Sequence, residues 1–212
     1  PDNPNKNIVR APIWFNYFIK ASPQDLDINP RLGIRRMDPD EFIRVCENAH
    51  REKHFDDKRF CTLIASHDNK GSAARLRNQA LSVFSDFGQI SCPGIFMNNT
   101  DDLQTQFNDS IIEYLKEFQF NICFENTDTA FYTTEKVFQA LFTGCIPIYF
   151  GSKGVCEVEI LNQERIIFFN PQNPKISINS VRKILLDSAA REEFFSRPIF
   201  KPKAKTILIN RR

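Results

Sequence analysis

FNICFENTDTAFYTTEKVFQALFTGCIPIYFGS, residues 120–152, carries the reading of the whole chain. Phe120–Phe124 has the length and the Phe, Ile and Cys content of a strand buried on both faces. A polar loop follows, and Thr133 or Thr134 stands where a helix cap is needed. Val137, Phe138, Leu141 and Phe142 then recur at helical spacing, and Gly144 falls just past the helix end, where a left-handed residue is favoured. Cys145–Phe150 reads as a second buried strand. Glu135 and Lys136 therefore sit in the first helical turn, beyond the carboxyl end of a strand. In an open α/β sheet, free backbone N–H groups and the helix dipole face an anion at that place. A lysine there adds positive charge to the positive end of the dipole, which is unfavourable in isolation. A bound pyrophosphate reverses the sign; the plain alternative is a solvated lysine partly neutralised by Glu135. Asn126 and Tyr132 have two readings as well, either ligand contacts or residues that close a turn or cover a core edge.

Working outward, Phe60–Ala65, Gln89–Cys92 and Arg165–Phe169 are further short apolar runs, and helix-period segments at 72–86, 104–118, 134–143 and 153–162 separate the strands, with another at 178–195. Strands alternating with crossover helices predict the α/β class and one Rossmann-like parallel sheet. In the helix at 72–86, Leu76, Ala80, Val83 and Phe87 form the apolar stripe, with Arg77 on its flank and its guanidinium free to reach over the sheet edge. Arg75 is the alternative if the register differs. Residues 1–57 read as a proline-rich N-terminal arm ending in a short helix, capped by Asp38 with Pro39 at the first helical position and a stripe of Phe42, Val45, Cys46 and Ala49. Residues 58–196 form the Rossmann-like domain, and 197–212 a basic tail packing through Ile207, Leu208 and Ile209.

The chain has 212 residues, 42% of them hydrophobic, enough for a full core. Its 28 Lys and Arg against 26 Asp and Glu leave a net charge of +2, too small for a protein living on phosphate-backbone attraction, so no nucleic-acid partner is expected. No apolar run approaches the roughly 18 residues of a membrane span, and the opening PDNPNKN lacks the layout of a signal peptide, so no transmembrane segment is expected in this chain. Cys46, Cys61, Cys92, Cys123, Cys145 and Cys156 are spread singly, read as reduced core residues, and point to a reducing compartment. Asp25-Leu26-Asp27 has the D-x-D form that holds a metal against a diphosphate, but no strand precedes it to place the carboxylates. His50, His54 and His67 show no metal spacing beyond the i, i+4 pair His50/His54 and read as surface residues. No metal site is expected. The sequons at Asn98 and Asn108 are near chance for this length.

Taken together, FNICFEN, then YTTEK, then the run ending in GCIPIYFGS resemble the donor-binding motif of the alpha-1,3/1,4-fucosyltransferase family. Arg77-Asn78, followed by Phe84, Phe87, Ile90 and Gly94, is a second and weaker match. The resemblance covers about residues 59–152. It implies the donor-binding half of a two-domain GT-B glycosyltransferase and transfer of L-fucose from GDP-fucose to a hydroxyl of a glycan acceptor, with inversion and without a cofactor. It implies Arg77 and Lys136 on the diphosphate, Glu135 accepting from donor sugar or ribose hydroxyls, and Tyr132 and Asn126 orienting the donor. The family's general-base glutamate lies in an earlier Thr-Gly-Glu-Asn-like motif that this sequence lacks, so little transfer is expected from these residues alone. A nucleotide-sugar-binding module without turnover, and a glycosyltransferase for another GDP- or UDP-sugar, are the alternatives. The implied location is cytoplasmic or membrane-associated, as in bacteria, or Golgi if an N-terminal anchor precedes the chain.

Overall fold

The computed structural model describes residues 12–20, 28–29, 32–51, 54–65 and 72–210. In chain order the elements are α1 (Phe15–Phe18), α2 (Pro39–Arg51), β1 (Arg59–Thr62), α3 (Ser72–Phe84), β2 (Ile90–Ser91), α4 (Asp102–Thr105), α5 (Ile111–Leu115), β3 (Phe118–Phe124), α6 (Glu135–Phe142), β4 (Ile146–Phe150), β5 (Ile167–Phe168), α7 (Lys175–Leu186), α8 (Ser188–Ser196) and α9 (Ala204–Asn210). The strands form one sheet in the order β2-β1-β3-β4-β5, and every pairing is parallel. This is the α/β, Rossmann-like architecture that alternating strands and helices predict. The order reverses between β1 and β3, so the topological switch point lies at their carboxyl ends.

Helices cover both faces. Cys61, Leu63, Phe120, Ile122, Phe124, Ile146 and Ile148 pack with Ala80 and Phe84 of α3, Val181 and Ile184 of α7, and Phe194 of α8. On the other face, Cys123, Cys145 and Tyr149 pack with Val137, Phe138 and Leu141 of α6 and with residues of α1, α2, α5 and α9. The central strand β3 is buried along its full length, as both-sided covering requires. Gly144 takes φ +75° just past α6, the left-handed stop that its position predicts.

The segment read as an arm belongs, where described, to the main core. Trp14 and Phe18 are fully buried, and the Trp14 ring stacks on Phe138 of α6 with centroids 3.8 Å apart. Phe42 of α2 adds a further ring to this cluster. Asp38 caps α2 as expected, its carboxylate accepting from the Glu41 N–H at 3.0 Å. The buried stripe of α2 runs Phe42, Cys46, His50, so His50 is a core residue and not a surface one, and its ring lies near that of Phe195. His54 is exposed, as expected.

Four further expectations are corrected. The helix at 104–118 is interrupted: Asn108 and Asp109 take φ +48° and +60°, and Ser110 restarts a helix by accepting from the Glu113 N–H. The segment 153–162 is irregular beyond one 3-10 turn, because Ser152, Lys153, Gly154 and Glu157 all hold positive φ, which no continuous helix tolerates. The helix at 178–195 is two helices: Asp187 is extended and caps α8 through the Ala190 N–H. The tail is helical, and while Ala204 and Leu208 are buried and Ile207 is partly so, Ile209 is exposed. All six cysteines are free and buried. Among the described residues no helix is long and apolar enough to cross a membrane.

Candidate functional site

Two basic side chains converge on consecutive residues at the end of β3. Asn126 accepts at Oδ1 from Nη2 of Arg77 at 2.8 Å. Glu125 faces Lys136, with Oε2 3.5 Å from Nζ. Arg77 belongs to α3, which follows β1, and Lys136 to α6, which follows β3. The two cations thus come from the helices after the two strands that flank the switch point, where open α/β sheets bind ligands.

Arg77 corrects the flank reading. Its place on α3 is inside the buried face, with Ala80 and Phe84, and only 4% of its surface is exposed; Arg75 is exposed, which fixes the register. The guanidinium lies 5.8 Å from the Phe96 ring centroid, and burial lowers its pKa. Guanidinium nonetheless stays charged at neutral pH. Nη1 is buried and makes no hydrogen bond among the described residues, while Nη2 is held by an exposed Asn126. A buried, half-satisfied cation at a switch point can receive an anion.

The sequence reading passed over Glu125, which organises the other half of the site. Its side chain is fully buried. Oε1 accepts from the Thr134 N–H at 2.8 Å, and Oε2 accepts from the Thr134 hydroxyl at 2.7 Å. Thr134 is therefore the residue at the start of α6, yet its hydroxyl is turned to Glu125 and does not cap the helix. The charge that neutralises Lys136 is accordingly Glu125, reached through space, where the sequence pointed to neighbouring Glu135. Lys136 also donates to the Thr134 hydroxyl at 3.0 Å. Burial pushes the Glu125 carboxyl above its ordinary range, and Lys136 and the two Thr134 contacts pull it partly back. An acid directly after a seven-residue buried strand was the signal for it, since such a charge requires partners.

Gly151, at the end of β4, makes room for this carboxylate. A Cβ there would stand 2.7 Å from Cγ of Glu125, and its φ of +141° disfavours other residues. Glu135 is buried at the first position of α6 and close enough to Glu125 to raise its pKa further. Tyr132 is half-buried, and its hydroxyl feels both Glu125 and Glu135, which raise its pKa after the larger effect of burial. All five residues singled out in the sequence lie on α3, α6 or the loop between β3 and α6, with Glu125 at their junction. Among the described residues no three His, Cys, Asp or Glu side chains gather for a metal. Asp25, Asp27 and His67 lie outside the described residues.

A five-stranded parallel sheet with two basic side chains brought to its switch point defines a Rossmann-like domain of the α/β class. Residues 56–170 match the glycosyltransferase family 10 (fucosyltransferase) C-term family, and the chain belongs to that family. It is 33% identical over 84 residues to alpha-(1,3)-fucosyltransferase B of Drosophila melanogaster, and 33% identical over 98 residues to alpha-(1,3)-fucosyltransferase FucT of Helicobacter pylori. These matches take in 40% and 46% of this chain and 19% of each relative's length. Crystal structures of alpha1,3-fucosyltransferase with GDP and with GDP-fucose share the fold at TM-scores of 0.60 and 0.59. Each is 18% identical and aligns over 96% of this chain, and over 63% and 64% of its own length respectively.

Proposed function

We propose that this chain is the donor-binding half of an inverting fucosyltransferase and holds GDP-fucose for transfer of L-fucose to a glycan hydroxyl. The observation that carries the reading is the buried Arg77 guanidinium, held at Nη2 by Asn126 and with Nη1 unmatched among the described residues, with Lys136 brought to the same switch point. Membership of the fucosyltransferase family supplies the donor, which is also the ligand named with one of the related crystal structures.

In this reading the reaction is a single in-line displacement at the anomeric carbon, with GDP leaving. Negative charge grows on the β-phosphate, and fixed donors stabilise it most where water is excluded. Arg77 and Lys136 meet that charge without a metal. Lys136 moves from Glu125 toward the phosphate, and Glu125, still bonded to Thr134, keeps the start of α6 in place. Glu135 accepts from a donor hydroxyl, and Tyr132 and Asn126 fix the donor's orientation. The general base comes from the acceptor side, outside the residues that match the family motif, so these 212 residues bind donor and turn over slowly.

Calorimetric titration with GDP, UDP and ADP in EDTA tests the donor site. GDP binding without metal, with UDP and ADP weaker, is the expected result; binding that needs Mn²⁺, or a preference for UDP, overturns the assignment. Radiolabelled transfer from GDP-fucose to lactosamine-type acceptors tests the division of labour. Fast turnover by residues 1–212 alone would defeat it.

A further inference from the structure

We propose that Glu125 stands in for the donor's phosphate in the empty site and takes up a proton when the diphosphate draws Lys136 away, a coupling that rests on the donor reading above. The two members of this ion pair are held very differently. The Glu125 side chain has no exposed surface, whereas that of Lys136 keeps 23% of its own. The carboxylate is fixed in place: Oε1 accepts from the Thr134 N–H at 2.8 Å, Oε2 accepts from the Thr134 hydroxyl at 2.7 Å, and Oε1 also faces the Tyr149 hydroxyl at 3.5 Å. Gly151 closes against it from the end of β4, so near that an added Cβ would meet Cγ of Glu125 at 2.7 Å. The ammonium has two contacts among the described residues, Glu125 and the Thr134 hydroxyl at 3.0 Å. An incoming anion therefore moves the lysine and leaves the acid behind.

A buried carboxylate that loses its counter-ion is costly and takes a proton instead. The ionisable groups around Glu125 are Lys136 and Glu135 on α6, Tyr132 in the β3–α6 loop, Tyr149 on β4, Cys156 beyond β4 and Cys123 on β3. Of these, Lys136 alone is a cation, and Glu135 already raises the Glu125 carboxyl. Burial raises Tyr132, Tyr149, Cys123 and Cys156, which keeps them neutral near neutral pH and leaves none of them to replace the lost charge. Departure of Lys136 and arrival of phosphate thus act in one direction on the acid. The proton comes from water and forms an O–H bond at Oε2, which then donates to the Thr134 hydroxyl oxygen in place of the bond that Lys136 withdraws. Glu125 is in this way a positioning residue, storing Lys136 in the empty site and yielding it without leaving a bare charge behind.

Calorimetry with GDP-fucose in buffers of different ionisation enthalpy counts the protons. GDP-fucose is the probe because its diphosphate is esterified at both ends, whereas a terminal phosphate itself titrates at about pH 6. The unaltered chain should take up a fraction of a proton at about pH 6.5, and its affinity should fall about three- to tenfold from about pH 5.5 to about pH 7.5. Glu125→Gln should exchange no proton and bind with constant affinity across that range. Lys136→Met gives a check without ligand: its infrared spectrum at about pH 6.5 should show a protonated carboxyl that the unaltered chain lacks. Binding without proton uptake, the same pH profile in Glu125→Gln, or a fully ionised carboxyl in Lys136→Met each overturns the coupling alone. Absence of binding at every pH overturns the donor reading and the coupling with it.

Discussion

Arg77 and Asn126 are 49 residues apart in sequence and 2.8 Å apart in space, joined across the point where the strand order reverses. The bond uses one arm of the guanidinium and leaves Nη1 buried without a partner among the described residues. A group so placed destabilises the empty fold and is compensated when an anion arrives, so its effects on stability and on binding have opposite signs.

Arg77→Met should therefore leave the melting temperature unchanged or raised, because a buried charge is replaced by an apolar chain of similar length. GDP binding should weaken by about 1.5–3 kcal/mol, roughly ten- to hundredfold. Calorimetry and thermal unfolding on one preparation check both halves. Loss of stability with affinity intact would make Arg77 a structural residue.

Lys136→Ala and Glu135→Ala should differ in what they lose. Removing Lys136 takes a charge-assisted contact of about 1.5–3 kcal/mol from GDP itself. Removing Glu135 should weaken GDP-fucose, and should weaken GDP only through a ribose contact. Titrating each variant with both ligands separates these outcomes, and unchanged GDP affinity in Lys136→Ala removes that lysine from the site.

Glu125 gives the fold a pH dependence of definite sign. Its pKa is raised, chiefly by burial, so the folded state holds the proton to higher pH than the unfolded chain does. The stability it contributes is fully present below the unfolded carboxyl value, about 4.3, and is lost as pH rises through the raised folded value. The urea midpoint of the natural chain should fall relative to Glu125→Gln over that interval. A constant difference between the two proteins across it would rule out a raised carboxyl.

Gly151→Ala should destabilise by about 2–4 kcal/mol, from the left-handed φ and from overpacking against Glu125 together. Its Cβ would meet Cβ and Cγ of Glu125 at 2.8 and 2.7 Å, atoms too near the backbone to swing aside. Urea unfolding measures the loss, and GDP affinity should fall as well, since the displaced carboxylate also positions Thr134.

Much of the sheet was legible because Phe120–Phe124 and Ile146–Phe150 are apolar on both faces, a pattern that solvent-exposed strands do not show. The stop at Gly144 and the cap at Asp38 were legible for the same reason: each depends on residues within one turn of itself. The failures were non-local or hidden in backbone angles. Positive φ at Ser152, Lys153 and Glu157 falls on residues that do not announce it, and so 153–162 resembled a helix in spite of Gly154. His50 looked like a surface residue until Phe42 and Cys46 were seen to extend the buried stripe onto it. The helices that carry Arg77 and Lys136 were readable from spacing, but the buried direction of Arg77 was not. Their partners Asn126 and Glu125 were separable only in space, since strand ends and loops show no periodicity from which direction can be inferred.

The aromatic contact between Trp14 and Phe138 makes the protein its own fluorimeter. Trp14 is the chain's single tryptophan, and it stacks on the helix whose first turn carries Glu135 and Lys136. Excitation of the indole therefore reports from one known point, with no labelling and no competing emitter of its kind. Any tilt or tightening of α6 as ligand arrives changes the indole's surroundings directly, so emission during rapid mixing would time the response of the helix itself.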